Sequence, residues 1–339
     1  MHARIANYTF FMKIQIFRRL YLLSIMLWPA VAFSQNDIVG RINEYGKFDN
    51  WCRREIKESA IIGGGTKYLY EFYGSKETLN TGKEPFQAPE GYLWRTNNVL
   101  AVVVGIVKTN NTVFPEPRGE GYCARIETHI EEVKALGLIN MDVCCQGALL
   151  VGELPEPIRD TKNPMAKVIY GLPFNGKPEA LVFDYKADVG NEVIRGTGFS
   201  RLKPMGYPDY AEVTMVLQKR WEDEDGNIHA LRVGTGIERI TSSVTEWEND
   251  HRVCIHYGNI TSEPFYRDYM GLKNDPETAY HAINSKGDNV IVQEDGWAQE
   301  GTEPNYMMLH FLTSCGKAFY GGVGNTLWLD NVRIVMPAQ

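Results

Sequence analysis

Clusters of basic residues are missing from this sequence. Across 339 residues, 35 Lys+Arg stand against 42 Asp+Glu for a formal charge of −7, and no block of five or six basic side chains interrupts it. A DNA or RNA partner is excluded on that electrostatic ground. Metal and nucleotide motifs are missing as well. The cysteines form no C-x2-C pair, which argues against a zinc site. Gly63-Gly64-Gly65-Thr66-Lys67 lacks the first glycine of a P-loop, and Gly234-Thr235-Gly236-Ile237-Glu238-Arg239 has Arg239 where a dinucleotide fold needs glycine. Trp221 stands where a Ca²⁺ loop built on Asp223-Glu224-Asp225-Gly226 would need its first carboxylate, and neither H-E-x-x-H nor G-x-S-x-G occurs. The seven His are scattered; His251 and His256, five apart, fall on opposite faces of a strand and make no ligand pair.

Helical periodicity is scarce, and turn formers and flat side chains are plentiful: 32 Gly, 16 Pro, 18 Tyr, 14 Phe and 7 Trp. Alternating apolar and polar residues predict strands over 67–73, 98–107, 122–128, 167–172, 180–186, 212–221, 230–240, 252–257, 307–312 and 326–335. Between two of them, Asp225-Gly226-Asn227 supplies residues that tolerate positive φ, a hairpin signal. Two short helices are expected, over 131–138 and over 275–283, the second with Asp275 as N-cap and Pro276 at the first helical position. Many antiparallel strands with few helices must close on themselves or stack. The expected fold is therefore all-β, a jelly-roll β-sandwich of two antiparallel sheets with few short helices. No linker, repeat or low-complexity tract divides residues 35–339, which read as one domain.

Residues 1–34 hold Arg4, Lys13, Arg18 and Arg19 and no acid, then an apolar run at 20–27, then Pro29-Ala30-Val31-Ala32-Phe33-Ser34. This is the pattern of a signal peptide cleaved after Ser34. The apolar stretch of about 14 residues is short of the roughly 20 that span a bilayer. Export to the periplasm, the outer-membrane surface or the extracellular space is expected, with no cysteine after the cleavage region for lipid attachment. Six cysteines (Cys52, Cys123, Cys144, Cys145, Cys254 and Cys315) would enter an oxidising space, where sequence does not choose among their pairings. Cys123, Cys254 and Cys315 lie in alternating strand patterns that suit burial as well as bridging.

The segment from Met308 to Val335, with Gly321-Gly322-Val323-Gly324-Asn325-Thr326-Leu327 leading into Asp330-Asn331-Val332, resembles the hallmark of the PCMD family, a carbohydrate-metabolism domain of bacterial envelope proteins. Phe48-Asp49-Asn50-Trp51, Leu93-Trp94-Arg95-Thr96-Asn97-Asn98, Gly121–Thr128 and Thr245-Glu246-Trp247 fall in the family's order. The resemblance covers 48–258 and 306–336. It implies a jelly roll similar to carbohydrate-binding modules, in exported proteins of polysaccharide-using bacteria, a family sometimes classed with glycoside hydrolases. Cys315 and the long connection 259–305 depart from its pattern. A connection of that length suits a lid or one wall of a cleft.

Sugars present apolar C–H faces between hydroxyls, so a site needs a flat aromatic for the ring and planar amide, carboxylate or guanidinium groups for paired hydrogen bonds. Trp94, Asn97, Arg125, Glu127 and Trp297 are the candidates: Trp94 beside Asn97 at a strand entrance, Trp297 after an Asp-Gly turn, and Arg125 with Glu127 on one strand face. Trp94 as a core anchor, and Arg125 paired simply with Glu127, are the plainer readings. Asp49 and Asp330 resemble the terminal acids that hold a structural Ca²⁺ in carbohydrate-binding jelly rolls, stapling first strand to last; as bland alternatives they end strands or cap turns. No other cofactor is expected. The leading expectation is a non-catalytic protein that binds a polysaccharide or oligosaccharide at the cell envelope, with envelope proteins as further partners. A glycoside hydrolase is the alternative, with Glu127, Asp184, Glu212 or Glu238 available and no pair singled out. A structural or adhesive envelope protein is the third class.

Overall fold

The computed structural model describes residues 35–338 apart from 73–77, 80–81, 83, 136–138, 161 and 163. The expected signal peptide, 1–34, lies outside the described residues, as does the end of the first expected helix. The chain enters through a helix that the sequence reading lacks, α1 (Gln35–Tyr45). The strands that position the site are β1 (Val113–Arg118), β2 (Gly121–Glu127), β3 (Ala148–Glu153), β4 (Ala180–Asp188), β5 (Ala211–Glu222), β6 (Ile228–Ile240), β7 (Val244–Cys254), β8 (Asn289–Trp297), β9 (Tyr306–Leu312) and β10 (Thr326–Val335).

Two sheets form an all-β sandwich. One runs β3-β9-β5-β6-β8, and the other runs β7-β4-β10-β2-β1. Alternation aims one face of each sheet at the other. Leu181 and Phe183 of β4, Leu327 and Leu329 of β10 and Ala124 and Ile126 of β2 are buried on one side; Val213, Met215 and Leu217 of β5 and Met307, Leu309 and Phe311 of β9 are buried on the other. Phe183 meets Phe311 edge to face across the sandwich at 5.2 Å between ring centroids. Each such large side chain contributes about 1.5–3 kcal/mol by leaving water. The β5–β6 hairpin forms at the expected turn, where Gly226 takes φ +91° and Asp223 accepts the Asn227 N–H at 2.8 Å.

Among the strands of the two main sheets one pair departs from the antiparallel expectation: β8 lies parallel to β6, Ile228 opposite Val292. The reason is that β8 belongs to the 259–305 segment, which crosses over and attaches at the edge of the larger sheet. That segment covers the outer face of this sheet. Tyr280, Ala282 and Val292 pack on Ala148, Leu150, Val216, Ile237, Met308 and Leu312 as a second core. Beneath them Arg232 and Glu294 form an ion pair with both side chains fully buried, and Gln218 donates to the same carboxylate.

Both expected helices are corrected. His129–Ala135 is a strand paired antiparallel with Ile139–Cys145, which satisfies the backbone that an isolated two-turn helix would leave marginal. At 275–283 the Asp275 carbonyl accepts the Thr278 and Ala279 N–H groups in a single turn, and His281–Ile283 is then strand, because Ala282 must reach the second core. Helix α1 buries Ile38 and Ile42. Its Asn43 amide donates to the Ile334 carbonyl at 3.1 Å and accepts the Ile334 N–H at 2.7 Å, which joins the start of the described chain to its last strand. Gly46 is required there: a Cβ would stand 2.1 Å from the Val332 carbonyl oxygen. The six cysteines carry free thiols, Cys52, Cys123 and Cys144 buried and Cys254 exposed. No helix among the described residues is long and apolar enough to cross a membrane.

Candidate functional site

The outer face of the β7-β4-β10-β2-β1 sheet carries a row of alternating rings and cations. Register alone sets it out: Phe114 of β1 lies opposite Arg125 of β2, Arg125 opposite Trp328 of β10, and Trp328 opposite Lys186 of β4. These residues share a face because each is out of phase with the buried Val113, Ile126, Leu327 and Tyr185 beside it. Trp247 of β7 completes the row. Arg125 lies 4.4 Å from the Phe114 centroid, Lys186 4.3 Å from that of Trp328, and Arg118 3.7 Å from that of Trp247. All six are partly exposed. Five strands at about 4.8 Å give a row roughly 19 Å long. Carboxylates flank it: Glu116 accepts the Trp328 indole N–H at 2.9 Å, and Glu127 pairs with Arg125.

At the Arg118 end the row opens into a polar cleft of about 500 Å³ lined by Asn43, Lys47, Asp184, Asn249, Asp250, Asn331 and Arg333. Its organising group is the Asp184 carboxylate. Two irregularities flank it, one between β4 and β7 and one between β4 and β10, and they place Asp250 and Asn331 in left-handed backbone at φ +57° and +50°. Side chains re-aimed at bulges and residues held at positive φ gather at functional sites. Asp184 accepts the Asp250 N–H at 2.9 Å, the Asn331 amide at 2.8 Å and Arg118 at 3.0 Å. Burial alone would raise its pKa, but the Asn331 amide, the Asp250 N–H and Arg118 outweigh that and hold it below the usual carboxylate range. Asp330 behaves oppositely. Burial pushes its pKa up despite Arg118 at 2.6 Å and the Asn331 N–H at 2.7 Å. Rings with exposed area beside amide, carboxylate and guanidinium forks can take a flat, hydroxyl-rich ligand.

Of the residues singled out from sequence, Arg125 and Glu127 stand in this row, and they also pair with one another. Trp94 does not. It is 1% exposed, donates its indole N–H to the Ile42 carbonyl at 3.0 Å and packs on Phe48 and Phe311, so it anchors the core and has no face for a sugar. Asn97 spends its amide on the Gln146 carbonyl and the Ala148 N–H, both at 2.8 Å. Trp297 is partly exposed but sits on β8 in the other sheet, 5.6 Å from Arg232, away from the row. Asp49 accepts the Tyr122 N–H at 3.0 Å, and the Arg118 guanidinium occupies Asp330. Among the described residues no group of three or more His, Cys, Asp or Glu side chains is arranged to hold a metal. The residues missed as ligand contacts were Trp328 and Trp247, while Asp184 was singled out only as one of four carboxylates available to a hydrolase. The alternation of Leu327-Trp328-Leu329-Asp330 holds the signal for the first, since only one of its two phases can face the core.

No protein-family model matches the chain, and no curated protein is similar to it. Solved structures are similar at low identity, and three of them are as follows. One, described as a putative glycoside hydrolase from Bacteroides thetaiotaomicron, is 18% identical over 68% of this chain and 59% of its own, with a TM-score of 0.41. A second of the same description, from Bacteroides vulgatus, is 17% identical over 67% of this chain and 78% of its own, also at 0.41. The third is a carbohydrate-binding module, CBM28, described as specific for non-crystalline cellulose; it is 12% identical over 73% of this chain and 89% of its own, at 0.26. The chain spans 59% of the length of the first of these. Likeness at this level assigns no role to any residue of the site.

Proposed function

We propose that this protein is an exported glycan-binding protein of the cell envelope and that it takes its ligand on the outer face of the β7-β4-β10-β2-β1 sheet. The observation that carries the reading is the row Phe114, Arg125, Trp328, Lys186 and Trp247, which ends in the amide-rich cleft around Asp184. A sugar ring can lie against an indole while its hydroxyls meet the neighbouring forks. Lys186, over the Trp328 and Trp247 rings, costs little to move, because an exposed cation–π contact is worth about 0.5–1 kcal/mol. The resemblance to the PCMD family supports the same reading, and the 1–34 pattern supports export. A panel of polysaccharides in affinity gels tests the binding. Retention of the folded protein is expected, and no retention on a broad panel would count against the proposal.

Hydrolysis is the second reading, and one observation favours it. Asp184 and Asp330 are direct cross-strand partners on one face, and their pKa values move in opposite directions. The Arg118 guanidinium binds both carboxylates, at 3.0 and 2.6 Å, which brings them close together as the paired carboxyl groups of a retaining glycosidase are. Release of reducing ends from the retained polysaccharide, abolished in Asp330→Asn, supports this reading; retention with no release leaves binding alone.

A further inference from the structure

Two cavities lie on either side of the loop 316–320, away from the row, and share Pro164, Ala318 and Phe319 as their wall. The first, of about 280 Å³, is lined chiefly by apolar side chains, among them Leu154, Ile158, Val168 and Phe319. Its polar neighbours are already spent. Gln146 donates to the Lys317 carbonyl at 2.6 Å and accepts the Gly316 N–H at 3.1 Å, and the rim charges Asp160 and Lys167 face each other at 3.4 Å. The second cavity, of about 380 Å³, is polar and holds Arg195, Lys317 and Glu277. Lys317 pairs with Glu277 at 2.9 Å. Arg195 has no carboxylate partner among the described residues and lies 5.9 Å from the Tyr320 ring.

Phe319 stands between the two cavities with φ +68°, a costly backbone for a bulky residue. The Gly196 N–H, donating to the Phe319 carbonyl at 2.9 Å, and the Gln146 clamp on 316–317 hold it there. Phe319 thus lines the apolar cavity on one side and, on the other, the polar one that holds Arg195. From this geometry we infer a binding site for a small amphiphilic anion, with a short alkyl chain or ring in the first cavity and a carboxylate toward Arg195. Apolar cavities of about 150 Å³ take up a benzene ring; this one is nearly twice that, room for about eight carbons.

Calorimetry with n-octanoate and n-octanol on the full chain tests the site. Octanoate binds, and octanol binds at least tenfold more weakly. Arg195→Gln erases the difference between them. Ala318→Leu and, from the opposite wall, Leu154→Trp each weaken octanoate at least tenfold in protein whose melting temperature is unchanged; if one filling variant does not fold, the other decides. Trp328→Ala, on the glycan row, leaves octanoate binding as it was. The inference is overturned if octanoate does not bind, if Arg195→Gln keeps the preference for the carboxylate, or if the folded filling variants bind octanoate as the parent does.

Discussion

Asp250 and Asn331 stand on opposite sides of β4, each in left-handed backbone, and both donate to the single carboxylate of Asp184. Neither is glycine, so neither adopts that backbone freely, and a common acceptor is what the two have in common. With Arg118 the arrangement fixes the end of the aromatic row against the polar cleft. Removing the acceptor releases both irregularities at once.

Asp184→Ala therefore lowers stability by about 2–3 kcal/mol, the range for losing hydrogen bonds to a charged group, and lowers glycan retention as well. Denaturant melts and affinity gels on the same sample check it. The carboxyl is held below its unfolded value, so its contribution is present above the unfolded pKa of about 4 and disappears as pH falls through the folded one. Acid unfolding of the parent should show that loss, and the variant should lack it.

His251 works in the other direction. It bridges Glu238 at 2.8 Å and Glu248 at 2.6 Å, and the hydrogen bond to Glu238, opposed by burial and helped by Glu248, raises its pKa. Stabilisation from the imidazolium is complete below the unfolded value of about 6.5 and is lost as pH rises through the folded value. Melting temperature should fall across that window, and His251→Gln should flatten the curve. A slope retained in the variant contradicts the assignment.

Glu294→Gln leaves Arg232 charged, buried and without its carboxylate. A loss of about 3–5 kcal/mol follows from breaking a buried pair on one side, with the 259–305 segment released first because Glu294 also accepts the Lys273 N–H at 2.7 Å. Hydrogen exchange should rise in 259–305 before it rises in β9. Uniform loss of protection would show that the segment is not a separate layer.

The sandwich was legible because alternation survives in β10, and because β5 and β9, buried on both faces between two cores, still read as short apolar runs of strand length. Of the site, Arg125 and Glu127 were legible as sugar contacts, Asp184 only as one of four carboxylates open to a hydrolase and Asp330 only as a calcium ligand. Trp94 shares the flanking amides expected of a sugar site, but Phe48 and Phe311 enclose it, and contacts so distant in sequence leave no local mark. Helix α1 escaped because its cores are Ile38 and Ile42 alone, too few apolar positions for a clear period. The row itself depends on register between the β1–β2 hairpin and three strands far from it along the chain, which spacing within any one strand does not encode.

Affinity gel electrophoresis of Trp328→Ala and Trp247→Ala beside Trp297→Ala, on whichever polysaccharide retains the parent, is the most direct test. The account predicts about tenfold weaker retention for the first two, a loss near 1.4 kcal/mol each, with Trp297→Ala unchanged. Equal retention of all three, or a loss confined to Trp297→Ala, would contradict it.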